Sequence, residues 1–281
     1  MNEVASDIGI DPESFDAIAK LAYRESGLIL AVEKTSMIQS RLRHRLKALN
    51  LTDFAKYTAF VCSESGVDER SHMISALTTN VSQFFREKHH FDILEDHLKS
   101  HLLTKIRAGE QVRIWSAGCS NGQEATSIAL TLLESEPDVS NRNVKILATD
   151  IDMQVVNFAT KACYPERLTA GIPTPLVQKY FEKTTVNNET ILEAKDSVRN
   201  LISFKHLNLL ADWPMRGKMD VVFCRNVVIY FDQKTQNELW PRFRNILVPN
   251  GYLFLGHSER IADPEKAGFE THGPTTYKPV K

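Results

Sequence analysis

The chain has 281 residues, 42% of them hydrophobic and 25% charged, with a formal net charge of −1. That length gives one large domain or two modest ones, and the near-neutral total requires any basic partner surface to be local. Four widely spaced cysteines, Cys62, Cys119, Cys163 and Cys224, form no C-x-x-C pair, which argues against a disulfide framework or zinc site and for thiols kept in a reducing compartment. No apolar run approaches the roughly 20 residues of a membrane span, and Met1 to Asp11 is acidic without the apolar core of a secretory signal. A cytoplasmic protein is expected.

The first hundred residues read as helices. Asp11-Pro12 is a cap followed by proline at the first helical position. Phe15, Ile18, Leu21 and Ala22 make one face, and Gly27 stops the helix. Ile38, Leu42, Leu46 and Leu49 repeat at helical spacing, Phe54, Tyr57 and Val61 suggest a third helix, and Met73, Ile74 and Leu77 a fourth. These faces need one another for burial, which predicts a small helical domain over residues 1–85. A further stripe, Phe91, Leu94, Leu98 and Leu102, marks a longer helix. From Gln111 onward strands and helices alternate, the pattern of a parallel sheet, so residues 86–281 are read as a second, α/β domain. Strands are expected at 111–116, 144–149, 202–205, 219–224 and 251–256, helices at 123–135, 152–161, 174–182 and 233–247, and a closing hairpin around Gly273-Pro274. The segment 183–200 breaks the alternation, and Asn187-Asn188 between β-rich flanks predicts an inserted hairpin.

The stretch Val112 to Glu124 carries the chemistry. A short apolar run meets Gly118 and Gly122 and then a helix start, an order that lets backbone approach a ligand without Cβ interference. Asp150 follows Gly122 by 28 residues (122 to 150), where a βαβ unit sets a carboxylate against a ribose diol. The loop is not G-x-G-x-x-G: Ser120 stands where the second glycine would let a pyrophosphate pass. Glu124 at the helix start also suits a cationic or hydroxylated ligand better than a phosphate. An adenosine cofactor without phosphates is expected, S-adenosylmethionine being one. An NAD-type cofactor and a ligand-free glycine turn are the alternatives.

Several motifs together resemble one family, the chemotaxis receptor glutamate O-methyltransferases of the CheR type. They are Leu77-Thr78-Thr79-Asn80-Val81-Ser82-Gln83-Phe84-Phe85-Arg86-Glu87, the Ala117 to Glu124 loop, Ala148-Thr149-Asp150-Ile151-Asp152, and Leu207-Asn208-Leu209-Leu210. Phe223-Cys224-Arg225-Asn226-Val227-Val228-Ile229-Tyr230-Phe231 is the most specific, and Gly251 to Glu259 completes the set. Ser82 stands where the family motif usually has Thr, which keeps the hydroxyl. The resemblance implies a Rossmann-type methyltransferase domain behind an all-helical N-terminal domain, with the inserted β-subdomain at 183–200. It implies methyl transfer from S-adenosylmethionine to glutamates on a receptor's cytoplasmic helices, giving methyl esters and S-adenosylhomocysteine. A monomer without metal is expected.

By motif, the family's cofactor positions fall on Asn80, Ser82, Arg86, Glu124, Asp150, Asn208, Leu209, Arg225 and Asn226, to which the glycine loop adds Gly118, and Tyr230 matches the family's active-site tyrosine. Arg86 is expected on the methionyl carboxylate, Asp150 on the ribose, and Arg225 and Tyr230 on the incoming glutamate, with Arg86 and Arg225 exchangeable. A glutamate carboxylate is ionised at neutral pH and is itself the nucleophile, so the reaction requires no general base.

Each of these residues also has a plainer reading. Asp150 could be a helix cap and Tyr230 a core aromatic. His97 and His101 share a helix face at metal-ligand spacing, but Leu98 breaks H-E-x-x-H, so a solvated face is expected. The cluster Arg41, Arg43, His44, Arg45 and Lys47 is by default a solvated face. The resemblance turns Arg41, Arg43, Arg45 and Lys47 into a docking surface for acidic receptor helices, and nucleic acid is the disfavoured partner. The competing functions are a methyltransferase acting on RNA or a small molecule, and a cofactor-binding scaffold without turnover.

Overall fold

The computed structural model describes residues 9–280; residues 1–8, most of the stretch read for a leader, and residue 281 lie outside it. The chain forms two compact units. One runs to Thr79 and includes Tyr230–Thr235, and the other comprises Asn80–Ile229 and the chain from Gln236 onward.

The helical unit contains α1 (Pro12–Ser26), α2 (Thr35–Ala48), α3 (Phe54–Cys62) and α4 (Val67–Leu77). Asp11 caps α1 through its carboxylate, which accepts from the Ser14 N–H at 2.8 Å. Gly27 ends α1 at φ 72°, a left-handed conformation that glycine adopts without Cβ strain. The anticipated faces pack inward: Ile18, Leu21, Ile38, Leu42, Leu46, Phe54, Tyr57, Val61, Met73 and Leu77 are all buried.

The α/β unit opens with one continuous rod: α5 (His89–His97), a π-helical turn (Leu98–Leu102) and α6 (Leu103–Arg107). It carries Phe91, Leu94, Leu98, Leu102 and Ile106 into the core. His97 departs from the solvated face expected for it. It is 8% exposed, and its ring meets Tyr252 edge-on at 4.7 Å and stacks on the exposed His101 at 5.5 Å. Spacing alone does not register that the aromatic Tyr252 covers this face.

The remaining elements follow in order: β1 (Val112–Ala117), α7 (Gln123–Ser135), β2 (Val144–Asp150), α8 (Met153–Lys161), β3 (Cys163–Pro165), α9 (Thr174–Tyr180), β4 (Phe181–Val186), β5 (Glu189–Ala194), α10 (Asp196–Arg199), β6 (Ile202–His206), β7 (Met219–Cys224), α11 (Gln233–Ile246), β8 (Leu247–Leu255), β9 (Phe269–Gly273) and β10 (Thr276–Pro279). Seven strands form one sheet in the order β6-β2-β1-β7-β8-β10-β9, parallel from β6 to β8 and antiparallel at β10 and β9. The chain leaves β1 toward β2 and β6 on one side and later returns to β7 and β8 on the other. β1 is therefore the topological switch point, where the carboxyl ends of the strands open a crevice. Ile114 and Ile146 face the main core. Trp115 packs oppositely, edge-on to Trp213 at 4.7 Å, and donates its ring N–H to the Thr149 hydroxyl at 2.9 Å.

The segment 183–200 contributes to a separate antiparallel sheet, β3-β5-β4. Asn187 and Asn188, at φ 50° and 61°, form the tight turn between β4 and β5. Sequence alone did not disclose β3, a three-residue strand too short for periodicity to mark. The unit boundary falls after Thr79 rather than after residue 85 because Asn80–Phe85 is tied into the α/β unit. The Asn80 carbonyl accepts from the Ser120 hydroxyl at 2.9 Å, the Phe85 N–H donates to the Ser127 hydroxyl at 3.0 Å, and Phe84 is buried edge-on against Tyr164 and Phe181.

Candidate functional site

The crevice at the end of β1 is built by the turn into α7. Gly118 and Gly122 adopt φ 86° and 87°, and Ser120 between them is left-handed at 48°. A Cβ on Gly118 would lie 2.2 Å from the Val227 Cγ2, and one on Gly122 would crowd Ala159, Tyr164 and Phe204 at 2.9–3.1 Å. Both glycines are thus required by space as well as by backbone conformation.

Two groups of side chains flank this turn. In the first, Asp150 at the end of β2 is 8% exposed, and its carboxylate accepts from the Ser120 N–H at 2.8 Å and the Asp152 N–H at 3.0 Å. The Asn80 amide donates to the Asp152 carboxylate at 2.7 Å. Leu207 donates its N–H to the Asp150 carbonyl at 2.9 Å, which sets Asn208 and Leu209 beside this corner. The Asn208 side chain accepts from the Leu210 N–H at 2.9 Å. Burial pushes the Asp150 carboxyl above the usual range, although the backbone donors oppose it. Ser82 lies half-buried on the Asn80 loop.

In the second group, Glu124 in the first turn of α7 accepts from the Ser116 hydroxyl at 2.7 Å and from the Arg225 Nη1 at 3.2 Å. Arg225, just past β7, also reaches Glu87 at 3.3 Å and donates to the Arg86 carbonyl. Its side chain is 1% exposed, whereas that of Arg86 is 30% exposed. The Arg225 guanidinium, expected on the incoming substrate, is buried and shared between two carboxylates and a carbonyl. Burial raises the Glu124 carboxyl even against Arg225 and Ser116. The Glu87 carboxyl is pushed up by burial but held below the usual range by Arg225 and the His257 donors.

Asn226, at φ 58°, donates its N–H to Glu259 at 2.8 Å, and Glu259 also accepts from Gly256 at 2.6 Å and Ile229 at 3.1 Å. Glu87 and Glu259 lie inside recognisable motifs yet drew no role from sequence, because nothing local to either shows where its carboxylate points. Tyr230 ends a short 3₁₀ turn, Val228–Tyr230, and groups with the helical unit, where its carbonyl accepts from the Ile29 N–H at 3.2 Å. A cavity of about 250 Å³, lined by Thr126, Thr160, Phe204 and Lys205 among others, includes none of the expected site residues.

In the helical unit the basic cluster on α2 splits. Arg41 donates to the Leu77 carbonyl at 2.6 Å, the Thr78 carbonyl at 3.0 Å and the Thr79 hydroxyl at 2.9 Å. Arg45 pairs with the buried Glu69 through two hydrogen bonds of 2.8 and 2.6 Å, and Glu69 also accepts from the Tyr57 hydroxyl at 3.1 Å. Arg43 and Lys47 are exposed. Arg45 therefore does not stand on the outer face as expected: its fork closes on a carboxylate inside the unit.

Among the described residues no group of three or more His, Cys, Asp or Glu could hold a metal ion. Residues 80–277 match the family model of the CheR methyltransferase SAM-binding domain, and residues 13–78 that of the CheR methyltransferase all-alpha domain. The chain is 43% identical over 258 residues to a probable chemotaxis protein methyltransferase of Rhizobium etli, covering 92% of this chain and 96% of that one. It is 38% identical over 271 residues to the chemotaxis protein methyltransferase of Escherichia coli, covering 96% and 92%. Over 269 residues it is 38% identical to chemotaxis protein methyltransferase 2 of Pseudomonas aeruginosa, covering 95% and 93%.

Proposed function

The chain belongs to the CheR methyltransferase family, and from that premise we propose that it methylates glutamate side chains on the cytoplasmic helices of chemotaxis receptors. Membership makes it an S-adenosylmethionine-dependent methyltransferase of the chemotaxis type. The finer statement, glutamate as acceptor and a γ-methyl ester as product, is our reading of the site.

The observation that supports the cofactor side of this reading is a buried Asp150 carboxylate held by the glycine turn, with a partly exposed Arg86 in the same unit. The donor set suits an adenosine cofactor with an amino-acid tail. The Asp150 carboxylate accepts two N–H groups and keeps lone-pair capacity for two ribose hydroxyls. Gly118 leaves no room for a side chain. Arg86, the more exposed of the two guanidiniums, is assigned to the methionyl carboxylate, which planar guanidinium groups bind bidentately. Arg225 is assigned to fixing Glu124, and Glu124 to the amino-acid end. Asn208 and Leu209 stand beside Asp150 for the adenosine, and Tyr230 keeps the substrate-side role that its motif implies.

When bound, S-adenosylmethionine would supply a sulfonium methyl group to the acceptor carboxylate, the C–S electron pair staying with the sulfur of S-adenosylhomocysteine. The protein's part is alignment and partial exclusion of water, because solvation of either ion opposes a reaction that cancels charge. No residue has to remove a proton from an acceptor that is already ionised.

Receptor recognition is assigned to the exposed face of α2 with Arg43 and Lys47, facing acidic receptor helices. A second contact is offered by β4, an edge strand whose residues after Phe181 are exposed, to which an extended receptor tail could add a strand. Such a substrate places the enzyme in the cytoplasm, and among the described residues no helix is long and apolar enough to cross a membrane. The test is incubation with methyl-labelled S-adenosylmethionine and receptor-containing membranes. Protein-bound label that leaves as methanol in mild base is expected from an ester; base-stable label or label on nucleic acid would overturn the reading.

A further inference from the structure

Glu87 lies directly after Arg86 in a backbone that turns left-handed twice within three residues, at Phe85 (φ 52°) and at Glu87 itself (φ 57°). Such conformations persist in non-glycine residues only where the surroundings over-determine them. The Glu87 carboxylate is where those surroundings converge. Its Oε1 accepts from the backbone N–H of His257 at 3.2 Å, faces the His257 ring Nδ1 at 3.2 Å and lies 3.9 Å from the Arg86 Nε. Its Oε2 lies 3.3 Å from the Arg225 Nη2 and 3.5 Å from the Nδ1 of His90, a buried ring whose other nitrogen meets the Thr275 hydroxyl at 3.0 Å. Two guanidiniums therefore share one carboxylate. Arg225, fully enclosed, has Glu124 as a second counter-ion, whereas Arg86 is restrained otherwise by a hydrogen bond from its Nη1 to the Val81 carbonyl at 3.2 Å. Removing the charge of Glu87 would leave the two cations facing each other across a site of low dielectric, and the one free to move is the partly exposed Arg86.

We propose that Glu87 is a positioning residue for cofactor binding: it is the shared counter-ion that lets Arg86 and Arg225 stand in one site and holds Arg86 toward the methionyl carboxylate. This rests on the assignment of Arg86 made above. Glu87 acts through Arg86 and contributes nothing to binding once Arg86 is gone. A purely structural acidic residue would lower stability and affinity without regard to what stands at position 86.

The experiment is a double-mutant cycle on the full chain, with S-adenosylhomocysteine affinity read by calorimetry and melting temperature read alongside. Glu87→Gln is expected to weaken binding about tenfold, and the double variant with Arg86→Ala to bind within about twofold of Arg86→Ala alone. In turnover, Glu87→Gln is expected to raise KM for S-adenosylmethionine with kcat little changed, as for a group that supports ground state and transition state equally. Losses that multiply in the double variant, or wild-type affinity in Glu87→Gln, would overturn the proposal. If Glu87→Gln does not fold, Glu87→Asp keeps the charge and withdraws it by one methylene, and the same non-additivity with Arg86→Ala has to appear. Wild-type affinity in Arg86→Ala would instead sink the assignment of Arg86, and this inference with it.

Discussion

At the scale of single residues, the same side-chain type does different work according to what it faces. Asp150 and Glu124 are both buried carboxylates of one site, yet Asp150 is held by backbone N–H groups and Glu124 by a hydroxyl and a guanidinium. Asp150→Ala removes the acceptor for ribose and frees two N–H groups of the turn. Calorimetry is expected to show S-adenosylhomocysteine binding weakened by about 1.5–3 kcal/mol, and unchanged affinity would remove Asp150 from the site. On α2, Arg45 and Lys47 make the opposite contrast. Arg45→Ala strands Glu69, which is 4% exposed at its side chain. Loss of one partner of a buried pair is expected to cost about 3 kcal/mol in a urea melt, whereas Lys47→Ala, on the exposed face, should stay within about 0.5 kcal/mol. Charge reversal of Arg43 and Lys47 is therefore the cleaner probe of receptor docking, since reversing Arg45 would unfold the surface being tested. The basic cluster was fully legible as composition; its division into two inward and two outward cations was not.

At the scale of elements, the turn from β1 into α7 concentrates the requirements of the site. Its N–H groups are bound before any ligand arrives: Gly118 and Cys119 both donate to the Thr149 carbonyl, at 2.8 and 2.9 Å, and Ser120 donates to Asp150. Gly118→Ala is expected to add a left-handed penalty of about 1–2 kcal/mol and to push Val227 away from its place beside Asn226. Melting temperature and S-adenosylhomocysteine affinity should both fall; a variant that loses neither would show that the turn can relax without moving the site. This element was readable in advance because a glycine at a strand end and an apolar helix after it are local signals. The rod α5–α6 was readable as a stripe, but its π turn was not. Within that stripe Leu94, Leu98 and Leu102 keep a spacing of four residues, and a local widening of the helix does not alter that pattern.

At the scale of the whole molecule, buried histidines tie stability to pH. Burial, reinforced by Arg225 and His89, pushes His90 down to about 3, and burial with His101 and Lys278 pushes His97 down to about 4. The His97 Nε2 is enclosed without a hydrogen-bond partner. Both rings stay neutral in the folded chain, while in the unfolded chain they take up protons near pH 6.5. The unfolded state thus binds more protons below that value, so the stabilisation is full above about pH 6.5 and is lost as pH falls toward 4. For His97 alone the change is on the order of 3 kcal/mol. Urea melts between pH 7.5 and 4.5 should show this fall, flattened in His97→Gln; a slope unaltered in that variant would assign the acid sensitivity elsewhere.

By itself the sequence determined the kind and order of the longer elements and marked the glycine turn between β1 and α7. Those depend on signals within one or two turns of chain: the Asp11-Pro12 cap, the Gly27 stop, the glycine turn and the motifs around Asn80, Asp150 and Arg225. Only the tertiary structure decided which cation is enclosed and which is available, where the first unit ends, and that His97 is covered. Each of these turns on partners far away in sequence, Arg45 with Glu69 across 24 positions and Arg225 with Glu87 across 138. Burial and ion pairing belong to pairs of residues that meet only after folding, and no pattern read along the chain encodes which residues will meet.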